Sequence, residues 1–371
     1  MNSTRLVDQF MEMVQIDSET GNEREIADYL LNLFKNLDVE VFEDDTADQT
    51  GYGAGNIFVK AEGDADAAPV YFTVHMDTVT PGVGIKPSIK DGYIVSDGTT
   101  ILGSDDKAGI AAIIEALRTI EDDNIPHGDI EVVITIGEES GLVGAKAFDT
   151  SVLNSKFGYA LDSTGKVGTV VSQAPTQSKV EAHIYGKTAH AGVEPEAGVS
   201  AITIASKAVS KMNLGRVDAE TTANVGRIEG GGPTNVVTDY VYLLAEARSF
   251  TPERLNAQVE HMTAAFKEAA SELGGRAEVN TELMYDALNV AHDSEVAQTV
   301  NTALNNIGRD IDFISLGGGS DGNVFHGKGI ETVVLGIGYE DIHTTKEKMP
   351  VEELEKAAEL VVEIAKVQYD K

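Results

Sequence analysis

The run Ile130-Glu131-Val132-Val133-Ile134-Thr135-Ile136 constrains this chain more than any other segment. It is largely apolar and lacks the strict alternation of a half-exposed strand. It therefore reads as a strand buried on both faces, which needs helices on each side of its sheet. The surrounding pattern supplies them. Strand-like runs at 39–42, 56–61 and 70–74 follow two helical patterns in the first 37 residues. Residues 108–120 place Ile110, Ile113, Ile114 and Leu117 at the spacing of one helical face. Strands alternating with helices predict an α/β fold with a mostly parallel mixed sheet covered by helices.

The texture changes after Val171. Residues 179–185 alternate like a half-exposed strand, 199–212 read as a helix, 222–229 and 236–248 as strands, 252–273 as a long helix and 277–283 as a strand. This β-α-β-β-α-β order predicts a small α+β module with antiparallel strands. From about 295 the first pattern resumes, with a glycine-rich turn at 316–323 and a last helix over 351–367. We expect one domain built from 1–175 and 289–371, interrupted by an inserted domain at 176–288. A length of 371 residues suits two domains, since single cores stop growing near ~250–300 residues.

Charge narrows the partners. With 28 Lys+Arg against 61 Asp+Glu, the net charge is −33. A surface so acidic repels phosphate backbones and anionic lipid, which argues against nucleic-acid and membrane partners. There is no cysteine, so disulfides, thiolate zinc sites and cysteine nucleophiles are excluded. No stretch approaches the ~18–20 apolar residues of a membrane span. The N-terminus breaks its apolar run with Asp8, Gln9 and Glu12 and reads as an amphipathic helix rather than a signal peptide, so a cytoplasmic location is expected.

Acidic and imidazole groups recur where strands should end. His75-Met76-Asp77 follows an apolar run, and a histidine ligand needs its second ring nitrogen held by an acceptor, which Asp77 is placed to provide. Asp105-Asp106 precede the helical pattern at 108–120. Capping accounts for one aspartate there, but not readily for two. Glu138-Glu139 close the buried strand; one could bind a cation while the other faces a bound water, as a general base requires. Asp162 and His343 follow two further apolar runs. Parallel strands bring such ends together. Histidine and carboxylate without thiolate suit a catalytic divalent-metal site, with zinc the leading candidate.

The segments VHMDTV, LGSDDKAGIAAIIEAL, TIGEESGLVGA, ALDS, GKTAHAG and IHTT, in that order, resemble the M20 metallopeptidases, in the peptidase T-like (tripeptidase T-related) branch. The resemblance spans nearly the whole chain. It implies a zinc-exopeptidase-like catalytic domain, an inserted lid or dimerisation domain, and two divalent ions, zinc expected, with Co2+ or Mn2+ as alternatives. Carried over residue by residue, His75 and Asp162 should bind one ion, Glu139 and His343 the other, and Asp105 should bridge them. Asp77 should orient His75, and Glu138 should act as general base on a metal-bridging water. His190 resembles the lid histidine that approaches the reacting carbonyl. Asn235 and Arg248 match substrate-contacting positions, and Gly318, within 317–319, resembles part of the cleft wall.

The implied activity is cleavage of short peptides by an aminopeptidase of the tripeptidase type, in a homodimer formed through the inserted domain. The alternatives are an N-acyl amino acid amidohydrolase or carboxypeptidase of the same family, or a non-catalytic metal-dependent binding protein. One departure stands out: only 29 residues separate His75 from Asp105, far fewer than in tripeptidase T proper.

Overall fold

A computed structural model describes all 371 residues. The chain forms two compact units: Met1–Gln173 with Leu288–Leu316 and Ser320–Lys371, and Ala174–Ala287 with Gly317–Gly319. The glycine segment thus clusters with the second unit, although it lies far from that unit in sequence.

The first unit is built on a nine-stranded sheet whose central strands run Ile130–Thr135, Val70–His75, Phe157–Ser163 and Glu331–Gly336. These four are mutually parallel. Antiparallel strands flank them, Ile57–Ala61 on one side and Thr169–Ala174 on the other. Every residue of Val70–His75 and of Ile130–Thr135 is buried, as the apolar run predicts. The one charge in that run, Glu131, is buried and hydrogen-bonded locally. Its carboxylate accepts hydrogen bonds from the Asn154 and Ser155 amides and from the Ser155 hydroxyl at 2.6 Å, which satisfies a group that would otherwise be costly to bury.

The helix Ser104–Asp122 lies against this sheet and is buried around most of its circumference. Ile110, Ile113 and Ile114 are all at most 1% exposed, and burial of each such side chain stabilises by about 1.5–3 kcal/mol. Gly109 permits the close approach. A Cβ at that position would lie 2.5 Å from Asp106 Oδ1, 2.8 Å from Val74 Cγ1 and 2.9 Å from the Leu161 carbonyl oxygen. At the helix start, Asp105 and Asp106 depart from helical dihedrals. Asp106 Oδ1 accepts from the Gly109 amide at 3.1 Å, so it serves as the cap that frees Asp105 to point elsewhere.

The second unit is a five-stranded sheet, antiparallel throughout, in the order Gly215–Arg216, Thr221–Gly230, Tyr240–Ser249, Thr176–Tyr185, Arg276–Tyr285. Thr176–Tyr185 alternates strictly between buried and half-buried residues. Its buried face, with Val180, Ala182 and Ile184, joins one apolar cluster with Ile204, Ala205, Met262 and Phe266 of the helices Ala201–Lys211 and Pro252–Glu272. Period-two alternation in the strand and period-3.6 spacing in the helices therefore converge on a single core. No helix in either unit is long and apolar enough to cross a membrane.

Candidate active site

The carboxyl ends of the parallel strands carry the chemistry. His75 is the last residue of Val70–His75, Asp162 the penultimate residue of Phe157–Ser163, and Glu138-Glu139 follow Ile130–Thr135. Asp105 stands at the start of the helix Ser104–Asp122. His343 sits on a loop with φ of 61°, and Asp341 before it has φ of 55°. Left-handed backbone at residues other than glycine costs about 1–3 kcal/mol and gathers at functional sites.

All five expected ligands meet in the first unit. His75 Nε2 lies 3.0 Å from Asp105 Oδ1 and 3.7 Å from Asp162 Oδ1. His343 Nε2 lies 3.2 Å from Asp105 Oδ2 and 2.8 Å from Glu139 Oε1. Asp105 therefore faces one imidazole with each oxygen. Donor atoms fall into three sets within 4.8 Å: His75, Asp105, Asp162; Asp105, Glu139, His343; and His75, Glu138, Glu139. The last set places Glu138 within reach of the same centre.

Asp77 supports this arrangement in a way that its sequence position does not reveal. The contact to His75 Nδ1 at 2.9 Å is made by the Asp77 main-chain oxygen, with the carboxylate at 3.4 Å. That carboxylate accepts from the Thr20 hydroxyl at 2.7 Å and from the Glu138 and Glu139 amides at 3.0 and 3.3 Å. Asp77 thus ties the end of one strand to the acidic turn after its neighbour. Tyr339 adds a hydroxyl donated to Asp162 Oδ1 at 3.0 Å.

Electrostatics favour a cation here. Burial opposes a charged His75, but Asp105, Asp162 and Asp77 outweigh it and hold the imidazole well above the ordinary histidine value. His343 is pushed up to about 10 by its hydrogen bonds to Asp105 and Glu139. Burial, reinforced by the Asp162 charge, drives the Glu138 carboxyl well above its usual range. Burial also raises Asp162. The nearby Lys107 does not neutralise the cluster; its ammonium turns to the Ile16 carbonyl at 2.7 Å. Nitrogen and carboxylate-oxygen donors gathered in adjoining sets that run from buried His75 to exposed His343, with excess negative charge, are what a divalent-ion site offers. The residues present fit such a group.

The other expected site residues belong to the second unit. His190 and Asn235 are neighbours there: His190 bridges Val236, and the Ala191 amide donates to the Asn235 carbonyl at 2.9 Å. Arg248 donates to Glu246 from Nε at 2.9 Å and from Nη1 to the Gly317 carbonyl at 3.2 Å. A Cβ on Gly318 would meet nothing within 4 Å. Of the remaining histidines, His292 stacks on Phe313 and His127 bonds the Gly128 carbonyl, both packing roles.

A fold and site of this kind define a metallopeptidase-like hydrolase, and the sequence comparison gives the family: the chain belongs to peptidase family M20/M25/M40, whose model matches residues 71–367, as a peptidase T-like member. Its relatives span its full length. Bacillus subtilis (strain 168) YqjE is 57% identical over 98% of both chains. The crystal structure of aminopeptidase PepT from Bacillus cereus ATCC 10987 is 58% identical, with a TM-score of 0.93 and 99% of each chain covered. That of a tripeptidase from Staphylococcus aureus subsp. aureus Mu50 is 49% identical, with a TM-score of 0.96 over 100% of both chains.

Proposed function

We propose that this protein is a dinuclear-metal aminopeptidase of the tripeptidase type, acting on short peptides. The observation that carries the proposal is Asp105 flanked by His75 and His343, with Asp162, Glu139 and Glu138 around the same point. The similarity to an aminopeptidase and a tripeptidase at 58% and 49% identity supports the substrate class.

His75 and Asp162 would hold one ion, Glu139 and His343 the other, and Asp105 both; zinc suits the donors, and Co2+ or Mn2+ would be accepted. Such ions supply Lewis acidity toward the scissile carbonyl and toward water. The chain supplies the rest. Glu138, half-buried among other carboxylates, takes a proton from the attacking water and returns it to the leaving amine. Asp77 fixes the His75 ring through its main-chain oxygen and holds the Glu138 turn through its carboxylate. His190 is proposed as the donor to the developing oxyanion. Arg248 is proposed to take the substrate carboxylate, which would compete with Glu246 for the guanidinium. Asn235 and Gly318 are proposed as substrate contacts.

The second unit is proposed as lid and dimerisation domain. Its strand Thr221–Gly230 pairs with Gly215–Arg216 over two residues only, which supports a role for that edge in pairing with another copy.

Metal content and hydrolysis of a panel of tripeptides, dipeptides and N-acyl amino acids, before and after chelation, test the reading. We expect about two ions per chain, preference for tripeptides, and loss of activity on chelation that zinc restores. Preference for N-acyl amino acids would move the assignment to an amidohydrolase. No hydrolysis with both ions bound would make the protein a binder.

A further inference from the structure

The loop that presents Asp105 is held by a residue from the other end of the chain. Glu347 is 2% exposed. Its Oε2 accepts from the Leu102 amide at 2.8 Å and the Gly103 amide at 3.1 Å. Its Oε1 accepts from the Ser104 amide at 2.7 Å, the Ser104 hydroxyl at 2.5 Å and the Asp105 amide at 3.2 Å. One carboxylate thus organises four consecutive amides and a hydroxyl. Such a group accepts at about four lone-pair sites, so its capacity is fully used.

Glu347 is also tied to His343. It lies four residues after that histidine, and its amide donates to the Thr344 carbonyl at 3.1 Å. Glu340 and Lys348 close the same loop with two main-chain hydrogen bonds, at 2.9 and 3.1 Å. The loop therefore sets His343 and, through Glu347, also sets Asp105. A glutamine could not substitute: five donors face the carboxylate, and a carboxamide would turn an NH2 group toward some of them. An aspartate is one methylene too short to reach four amides from the same backbone position.

We propose that Glu347 is a positioning residue for the metal centre. It fixes Asp105 relative to His343 and so sets the affinity of the site for its ions. This rests on the metal-dependent reading given above.

The test is calorimetric titration of metal-free protein with Zn2+, for wild type, Glu347→Gln, Ser104→Ala and Asp105→Asn, alongside far-UV circular dichroism and thermal melting of the metal-free forms. Partners that orient metal ligands are typically worth about 10–100-fold in affinity. We expect Glu347→Gln to weaken Zn2+ binding by about that factor while circular dichroism stays native, and Ser104→Ala, which removes one of the five donors, to weaken it less. Native Glu347→Gln with wild-type Zn2+ affinity would overturn the inference, even where its melting temperature falls, because that is the pattern of a purely structural cap. If Glu347→Gln does not fold, Ser104→Ala decides: unchanged affinity counts against the proposal, weakened affinity for it. Asp105→Asn separates the two levels. If it binds Zn2+ like wild type, the metal reading fails and this inference with it. If it loses Zn2+ and the other two variants do not, only the positioning role fails.

Discussion

His343 and Asp105 are 238 residues apart in sequence, yet His343 Nε2 lies 3.2 Å from Asp105 Oδ2. Asp105 spends its other oxygen on His75 at 3.0 Å. Asp105 thus contacts one imidazole with each carboxylate oxygen and links the two halves of the cluster. Replacing it by asparagine leaves one oxygen and turns the second into a non-ligating amide nitrogen.

For Asp105→Asn we therefore expect substoichiometric metal after desalting and at least about a hundredfold lower peptide hydrolysis. Elemental analysis beside a turnover assay checks this. Full metal content in the variant would show that Asp105 does not join the two halves.

Glu138 should separate metal binding from chemistry. Its half-buried carboxyl lies beside His75 and Glu139, and its amide is already used by Asp77 at 3.0 Å. Glu138→Gln keeps size and removes proton transfer, so metal content should stay normal while kcat falls by about 10²–10⁴. Wild-type turnover in that variant would remove Glu138 as the base.

How much of this was legible in the sequence varies with the physics behind each feature. The parallel sheet was, because strands buried on both faces leave a continuous apolar run such as 130–136. The convergence of His75, Asp105, Glu139, Asp162 and His343 was, because each stands at or after the end of an apolar run or at a helix start. The contact of Asp77 with His75 was only half legible: the two residues meet, but the nearer acceptor is the Asp77 main-chain oxygen, and backbone direction leaves no mark on residue type. Arg248 carried a signal that points to a local role, since Glu246 two residues away shares its face of the strand. Glu347 was hidden. It lies in Thr-Thr-Lys-Glu-Lys, which reads as a solvated turn, and its partners are 242–245 residues distant.

His190 tests the proposed contribution of the second unit. Loss of an oxyanion donor costs about 10²–10³ in rate. His190→Ala should lose turnover on that scale with metal content and circular dichroism unchanged. Steady-state kinetics beside metal analysis checks it, and a normal kcat would take His190 out of the reaction.

Stability of the second unit should carry a pH signature at Glu272. Its carboxylate meets Lys207 at 2.5 Å and Lys211 at 2.7 Å, joining the helix Ala201–Lys211 to the end of Pro252–Glu272. Hydrogen bonds from the two lysines hold its pKa down to about 2 from 4.5. A depressed folded-state value contributes stability above the unfolded value, and the contribution is lost as pH falls through the folded one. The melting temperature of Glu272→Gln should therefore lie slightly below wild type at pH 7 and low salt. The gap should narrow as pH falls from about 4.5 toward 2 and should shrink in molar NaCl, since the groups are exposed. A gap that widened in acid would contradict the assignment.

Gly109 links packing to the site. A methyl group there would press on Asp106 Oδ1, Val74 and the Leu161 carbonyl, all at or below 2.9 Å. Val74 and Leu161 belong to the central strands, so neither yields without moving the sheet; Asp106 caps the helix and follows Asp105 directly. Gly109→Ala also brings a better helix former, worth up to about 1 kcal/mol in an unstrained helix. Overpacking of this kind costs about 1–3 kcal/mol, and with three contacts so close it should outweigh the propensity gain. We expect lower stability in urea for the metal-free protein, with weakened Zn2+ binding as Asp106 shifts and carries Asp105 with it. Higher stability with unchanged Zn2+ affinity would mean that the helix and sheet can part at Gly109 without disturbing the aspartates, and that the close packing there is not what sets the site.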